Sequence, residues 1–348
     1  QVGTGRWGSN WAQEILPTVP TIEVTAHVDA NPDALKALQE RLLVPPEKCF
    51  ASLRAALDAV PCDIVLGTLR TEAHFAVMAE ALEAGRHAIV EKPFASTLEE
   101  AASLVRLAAA RNLLLMVSQN YRFYRSPRLV ARLLAEGRIG QVDMVAIDFR
   151  RHAPSMGFAY YDFPDPLLAD MSIHHFDLMR MVLGREAVRV SARAWNPKGS
   201  PFAHPPAGVV TLEFEGGIVI SYRGSWMSGG ADTPWSGLWS INGSEGELEW
   251  ACRGDAGSNR SAVDWATLRP IGQEKQQLPL DDLPFYDRAG TVAGLAEAVR
   301  TGTMPPYFSS GADNLHSLAL VKACVRSNNE GGAWIHPRDL LPSQGHQP

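Results

Sequence analysis

Two rhythms of apolar and polar positions divide the chain. Up to Asn120, short apolar runs alternate with stretches whose apolar residues recur every three or four positions. The runs "IEVTAHVD" (22–29), "CDIVLG" (62–67), "RHAIVEK" (86–92) and "LLLMVSQN" (113–120) are rich in β-branched and apolar residues and read as buried strands. Asn31-Pro32 reads as an N-cap followed by proline at the first helical position, opening a helix through Leu43. "TEAHFAVMAEALEAG" (71–85) has helical spacing and stops at a glycine. Ser96-Thr97-Leu98-Glu99 reads as a capping box opening a helix to about Asn112. Such alternation predicts a parallel sheet covered on both faces, wound with right-handed crossovers.

After Asn120 the period changes. "SPRLVARLLAEG" (126–137) and "ADMSIHHFDLMRMVLG" (169–184) have helical spacing. Around them lie period-2 strands: "VDMVAIDFRR", "AVRVSARAW", "GVVTLEFE", "GIVISYRGSW", "GLWSING" and "GELEW". Glycine-rich turns in "EFEGGIVI" and "INGSEGELEW" suit antiparallel hairpins. Two further helices, near 285–301 and 311–329, precede a proline-containing tail. The expectation is an α/β domain over 1–120, then an α+β domain over 121–348 with a large, mainly antiparallel sheet.

Composition changes this picture little. The 348 residues suit two domains. A net charge of −6, with no run of Lys or Arg, argues against a nucleic-acid or anionic-membrane surface. The longest apolar runs, such as 113–117, are far too short to span a bilayer. Cys49, Cys62, Cys252 and Cys324 form no C-x-x-C pair, so a metal or redox motif is not indicated. They read as free thiols in a reducing compartment, which places the protein in the cytoplasm.

Chemistry enters with "GTGRWG". Gly3, Gly5 and Gly8 have the G-x-G-x-x-G spacing, and "SNWAQEIL" can supply the helix that follows. The first glycine permits a tight turn, the second lets backbone approach a pyrophosphate, and the third allows close helix–strand packing. Asp29 ends the next strand at the distance where a carboxylate accepts from a ribose 2′-OH. It would repel a 2′-phosphate, which favours NAD over NADP. The bland alternative is a glycine-rich surface turn with an ordinary strand-end aspartate. Only Gln1 and Val2 precede Gly3, whereas a buried strand needs about five residues. The sequence in hand is therefore expected to begin inside its first strand.

Two further clusters carry titratable groups. Glu91-Lys92-Pro93 closes a strand at the carboxyl edge of the sheet, where ligands bind in open α/β folds. Lys92 there is either a donor to a substrate oxygen or a solvated strand-end lysine. In "DMSIHHFDLMR", Asp170, His174 and Asp177 fall on one helical face and His175 points about 100° away. Three readings compete: N-terminal capping around a buried histidine, acid–base catalysis, and a His/Asp metal site. "NYRFYRSP" (120–127) is either an isolated basic-aromatic patch for nucleic acid or a domain-junction segment facing an active-site cleft. Trp226, Trp235, Trp239 and Trp250 can stack on sugars, or pack in a core or subunit interface. His74 either approaches a cofactor or caps its helix.

Taken together, "GTGRWG", "HVDANPDAL", "TEAHFAVMAEALEAGRHAIVEKPFA", "NYRF", "EGRIGQV" and "DMSIHHFDLMRMVLG" resemble the family of glucose–fructose oxidoreductase, inositol dehydrogenase and rhizopine-catabolism oxidoreductases (Gfo/Idh/MocA). The resemblance runs over essentially the whole chain. It implies a Rossmann domain, an open-faced antiparallel sheet domain, and hydride transfer between NAD(P) and a hydroxyl carbon of a sugar, cyclitol or related polyol. It implies that Lys92 and His174 are catalytic, that Asp170 is the assisting carboxylate, and that the Lys92–Pro93 bond is cis. The cofactor set becomes Gly3, Thr4, Gly5, Arg6, Trp7, Gly8, Asp29, Thr68, His74, Glu91 and Lys92. The substrate set becomes Lys92, Asn120, Arg122, Asp170, His174 and His175, with no resident metal. Three features depart from the family pattern: Ser172 where glycine is common, "DPLLAD" in place of a glycine-rich lead-in, and "GTLRTEAH" without the usual proline and asparagine. Two other classes fit the same residues: a catalytically silent NAD(H)-binding sensor and a metal-dependent lyase.

The second-domain strands also bear on assembly. Val210, Leu212 and Phe214 alternate with Val209, Thr211 and Glu213, and Ile218 and Ile220 with Val219 and Ser221. The second set is mixed rather than polar, and Trp226, Trp235 and Trp239 are expected to add aromatic surface. A sheet-on-sheet homodimer, or a homotetramer built from it, would cover that face.

Overall fold

The computed structural model describes residues 1–152, 158–254 and 263–342. The chain divides into two compact units: Gln1–Asn120 with Phe285–Leu315, and Tyr121–Pro284 with His316–Leu341.

In the first unit the parallel strands are β1 (His27–Val28), β2 (Cys49–Phe50), β3 (Ile64–Gly67), β4 (His87–Glu91) and β5 (Leu115–Ser118). Val2 bridges Val28 on one side and Gly67 on the other, so the spatial order is β2, β1, Val2, β3, β4, β5. The winding reverses beside Val2, which makes this the switch point of a doubly wound sheet. The helices are α1 (Arg6–Asn10), α2 (Pro32–Leu42), α3 (Leu53–Ala59), α4 (His74–Glu83) and α5 (Leu98–Ala110). Asn31 caps α2, accepting from the Asp33 N–H at 3.0 Å. The capping box of α5 pairs Thr97 with Glu100, one residue later than the spacing from Ser96 suggested. The strand expected over 22–29 is regular only at His27–Val28, where Val2 and Cys49–Phe50 offer partners.

The residues near 285–315 were expected in the second domain, and the structure groups them with the first. β5 is an outer strand, and an outer strand leaves a row of peptide groups to be satisfied. The Val117 N–H donates to Ser309 O at 2.9 Å, and Met116 pairs antiparallel with Ser310.

The second unit holds helices α6 (Arg125–Ala135), α7 (Phe158–Tyr161) and α8 (Ser172–Leu183), with α8 preceded by a wide helical turn at Pro166–Met171. Its strands are β6 (Val142–Arg150), β7 (Ala187–Trp195), β8 (Ala207–Phe214), β9 (Ile218–Ser225), β10 (Leu238–Gly243), β11 (Gly246–Ala251), β12 (Trp265–Pro270) and β13 (Gln276–Gln277). They form one sheet in the order β13-β12-β11-β10-β6-β9-β8-β7, antiparallel except for β6 with β9. Two helices close the chain: α9 (Asp287–Thr301), in the first unit, and α10 (Gly311–Asn329).

The alternation along these strands sorts as the pattern requires. Val210, Leu212, Phe214, Ile218, Ile220 and Tyr222 are buried, while Val209 and Val219 are exposed. Fully burying each such apolar side chain is worth about 1.5–3 kcal/mol. On the outer face, Ser191, Thr211, Ser221, Ala146 and Ser240 align across five strands as a row of short side chains. Trp226, Trp239 and Trp250 do not enlarge that face. They lie in the core, Trp239 stacked on Trp250 with centroids 4.6 Å apart. An indole removes so much apolar area from water that the inner face wins it. A cavity of about 690 Å³ lies at the amino ends of the parallel strands, beside Cys62, Asp63 and Arg86. That is the edge opposite the one at which ligands bind in this kind of sheet.

Candidate active site

The glycine turn is built without spare room on its inner side. Gly3 has φ +92°, and a Cβ there would lie 2.8 Å from Thr68 O. A Cβ on Gly8 would lie 1.9 Å from Gly3 O. Thr68 Oγ1 donates to Gly3 O at 2.6 Å, bracing the turn from the end of β3. A Cβ on Gly5, by contrast, would meet nothing within 4 Å. The cradle side of the turn is therefore open where a diphosphate would approach, and Gly5, Arg6 and Trp7 are exposed along it. Asp29 Oδ2 accepts from Thr4 N at 2.6 Å and Thr4 Oγ1 at 3.0 Å, and Oδ1 accepts from Asn31 N at 2.9 Å. A carboxylate has about four acceptor positions, so capacity remains for a ribose hydroxyl. These residues fit a dinucleotide.

The strand ends supply the next layer. Buried Glu91 accepts from the Trp11 indole N–H at 2.7 Å and from Lys92 N at 3.2 Å. It ties the helical stretch after the glycine turn to the strand that carries Lys92. The Lys92–Pro93 bond is cis, and Lys92 is half-buried. His74, buried, has its ring nitrogens 3.0 Å from Pro93 O and 3.2 Å from Leu69 O, so it joins the segments after β3 and β4. Asn120 Nδ2 donates to Asp287, and the Arg288 guanidinium lies 4.3 Å from the Trp7 ring centroid and 5.4 Å from that of Trp11. Sequence reasoning missed Trp11, Asp287 and Arg288. Asp287 lies 167 residues from Asn120, beyond any local pattern.

In the second unit, Asp170 lies in the wide turn and His174 on α8. Tyr160 donates to Asp170 Oδ2 at 2.8 Å; burial first, then the Asp170 carboxylate, push that phenol's pKa up, so it stays a donor. The His174 ring stacks on Tyr121, centroids 4.2 Å apart and planes within 8°. Asp177 takes Arg122 in a bidentate pair, both contacts 2.6 Å, with Arg122 and Asp177 buried. Arg122, expected as a substrate ligand, thus has its guanidinium on Asp177, and its neighbour Tyr121 is the residue against His174. His175 is fully buried. Its Nε2 lies 2.8 Å from Trp235 O and its Nδ1 3.0 Å from Tyr222 Oη. Burial holds its pKa down to about 4, against a weaker upward pull from the Trp235 carbonyl. The neutral ring then donates from Nε2 and accepts the Tyr222 hydroxyl proton at Nδ1. Ser172 Oγ, 2.8 Å from Tyr222 Oη, completes the chain as donor. The departure from glycine at 172 serves this buried relay. Among the described residues, no three or more His, Cys, Asp or Glu side chains are grouped to hold a metal ion.

Two outcomes follow from this geometry. Gly5→Ala is expected to leave apo stability within about 0.5 kcal/mol while weakening NADH binding about tenfold or more, because its methyl would enter the cradle. Gly8→Ala is expected to destabilise the apo protein outright; denaturant unfolding and fluorescence titration of both variants check this. The second outcome concerns His175. Below pH 6.5 the unfolded chain takes a proton that the folded protein refuses until about pH 4. The unfolded state then binds more protons, so stability is lost as pH is lowered from 6.5 to about 4, by up to about 1.4 kcal/mol per unit. Unfolding curves at pH 7, 6 and 5 should show His175→Gln with the flatter dependence.

Comparison with known proteins agrees with this architecture. Residues 2–119 match the oxidoreductase family with NAD-binding Rossmann fold, and residues 128–249 match the GFO/IDH/MocA C-terminal domain. The chain is 29% identical to an inositol 2-dehydrogenase of Rhizobium meliloti, covering 94% of this chain and 95% of that one. It is 27% identical to a D-apiose dehydrogenase of Paraburkholderia graminis, covering 89% and 82%. An oxidoreductase from Agrobacterium radiobacter, solved with NAD+, L-tartaric acid and magnesium, superposes with a TM-score of 0.81 over 98% of both chains at 20% identity, a likeness of fold. With both of its domain models matched in order along the chain, the protein belongs to the Gfo/Idh/MocA family of oxidoreductases.

Proposed function

We propose that the protein is an NAD-dependent dehydrogenase acting on a hydroxyl carbon of a sugar, cyclitol or related polyol. The observation that carries this reading is the presence, in one chain, of an open dinucleotide cradle, Lys92 just past the end of β4, and His174 on α8, four residues after Asp170. A silent sensor needs neither Lys92 nor His174. The names of the inositol 2-dehydrogenase and D-apiose dehydrogenase relatives support the substrate class.

When bound, the nicotinamide supplies the hydride acceptor. Neutral His174 takes the hydroxyl proton, and Asp170 favours the imidazolium that results. Lys92, as an ammonium, stabilises the developing alkoxide. The Asn120 and Arg122 side chains, engaged by Asp287 and Asp177, act as supports of the site rather than as substrate ligands. His175 serves as an anchor for Trp235. Asp29, followed by Ala30 rather than a basic residue, favours NAD over NADP.

The test is a panel of sugars, inositols and sugar acids, run with NAD and with NADP and read at the NADH band. Turnover with NAD is expected to exceed that with NADP, and His174→Ala should lower it about 10²–10⁴-fold. NADH binding without turnover of any polyol would point to the sensor. Full turnover by His174→Ala would remove the base assignment.

Assembly is a second part of the proposal. The outer face of the large sheet presents exposed Met144, Val188, Val209 and Val219 around its row of short side chains. A second copy of the same face can cover them by two-fold stacking. Light scattering at micromolar concentration is expected to give at least twice the 37.9 kDa chain mass; a clean monomer peak would count against it.

A further inference from the structure

His174 does not stand alone on α8. Its ring lies against Tyr121 with planes 8° apart, and Tyr121 is itself almost wholly buried. Tyr121 is held in turn by Arg253, beyond the end of β11. The Arg253 guanidinium lies 4.8 Å from the Tyr121 centroid and donates through Nη1 to its hydroxyl. The same guanidinium lies 5.4 Å from the Trp235 ring, which carries Arg151 at 4.2 Å. Planar groups thus follow one another from imidazole to phenol to guanidinium to indole to guanidinium.

The backbone beneath these groups is tied down at each step. Trp235 N donates to Arg253 O at 2.8 Å, Arg253 N donates to Asp264 Oδ1 at 3.2 Å, and His175 holds Trp235 O. On the other side of Tyr121, Arg122 is clamped to Asp177, three residues after His174 on the same helix.

A base accepts a proton along the lone pair of one ring nitrogen, so the plane of the imidazole decides which direction is served. An isolated histidine turns about its outer torsion, which is broad and roughly two-fold. A parallel ring at 4.2 Å removes that freedom. We infer that Tyr121, fixed by Arg253, is the positioning residue that sets the plane of the His174 imidazole. This rests on the reading of His174 as the base. The stack also leaves the phenol face against a ring that becomes cationic on proton uptake, a contact that favours the imidazolium.

The substitutions Tyr121→Phe, Tyr121→Leu and Arg253→Met, beside His174→Ala, decide the matter. With histidine labelled at carbon, the His174 ring protons of the wild-type protein should resonate upfield, displaced by the phenol ring current. Tyr121→Phe should keep that displacement and restore most of kcat. Tyr121→Leu should lose the displacement and lower kcat by about 10–100-fold with little change in KM, the scale of an Å-level misplacement. Arg253→Met should fall between. If His174→Ala is inactive while Tyr121→Leu, folded and without the displaced resonance, turns over at the wild-type rate, the positioning role fails and the base assignment stands. If Tyr121→Phe is as slow as Tyr121→Leu, the ring plane is not what matters, and the role fails again. If His174→Ala is fully active, the base assignment falls and this inference with it.

Discussion

The second unit depends on one desolvated ion pair. Arg122 and Asp177 lie almost entirely out of water and meet through two contacts of 2.6 Å. Taking both charges out of water is unfavourable unless both bonds form with good geometry, and breaking such a pair costs about 3–5 kcal/mol. An aromatic stack contributes only about 0.5–1.5 kcal/mol beyond its burial. The ion pair and the Tyr121–His174 stack therefore join the same two segments, and orphaning either charge would disturb both. The constraint does not end there. Ser317 of α10 donates to the same carboxylate at 2.7 Å and accepts from Arg180, which pairs with Glu186 just ahead of β7. One charged chain thus seats the 120–123 segment, α8, α10 and the first strand of the sheet's far edge.

The first unit is held at its switch point by exclusion of volume rather than by charge. Gly8 and Gly3 approach so closely that no side chain fits, and Thr68 Oγ1 fills the remaining gap with a bond to Gly3 O. The inner side of the turn is closed at Gly3 and Gly8, while the side at Gly5 is open. Asp29 is drawn onto Thr4 by the same approach. The rigidity of the turn and the open space beside Gly5 therefore have one origin.

Much of this could be read from local pattern. Strand and helix periods marked nearly every long element, because each element buries one face and the burial imposes its own period. The α5 cap slipped by one residue, since Ser96 and Thr97 offer the same chemistry and only geometry chooses Thr97. Two features were out of reach for a common reason: pairing between residues far apart in the chain. The segment about 285–315 carries an ordinary helical period, and nothing local says that Ser309 completes the edge of β5. "NYRF" offered an arginine and an asparagine as ligands, but Asp177 takes the arginine and Asp287 the asparagine. The tryptophans were misplaced for a different reason: bulk sent Trp226, just past the end of β9, and Trp239 of β10 inward.

The two adjacent histidines show why residue type alone cannot assign a chemical role. On a helix they point about 100° apart, so they enter different surroundings. His175 turns toward the sheet, where Tyr222 gives a proton to one nitrogen and the Trp235 carbonyl takes one from the other. Both of its nitrogens are consumed, and burial holds its pKa down to about 4, so the ring has no means of accepting a proton near neutrality. His174 turns toward Tyr121, whose contact is with the face of the ring rather than with its nitrogens. A face contact fixes orientation without using the lone pair. His175 is instead given over to packing: it anchors the Trp235 segment, whose backbone N–H in turn holds the carbonyl of Arg253, the residue that reaches Tyr121.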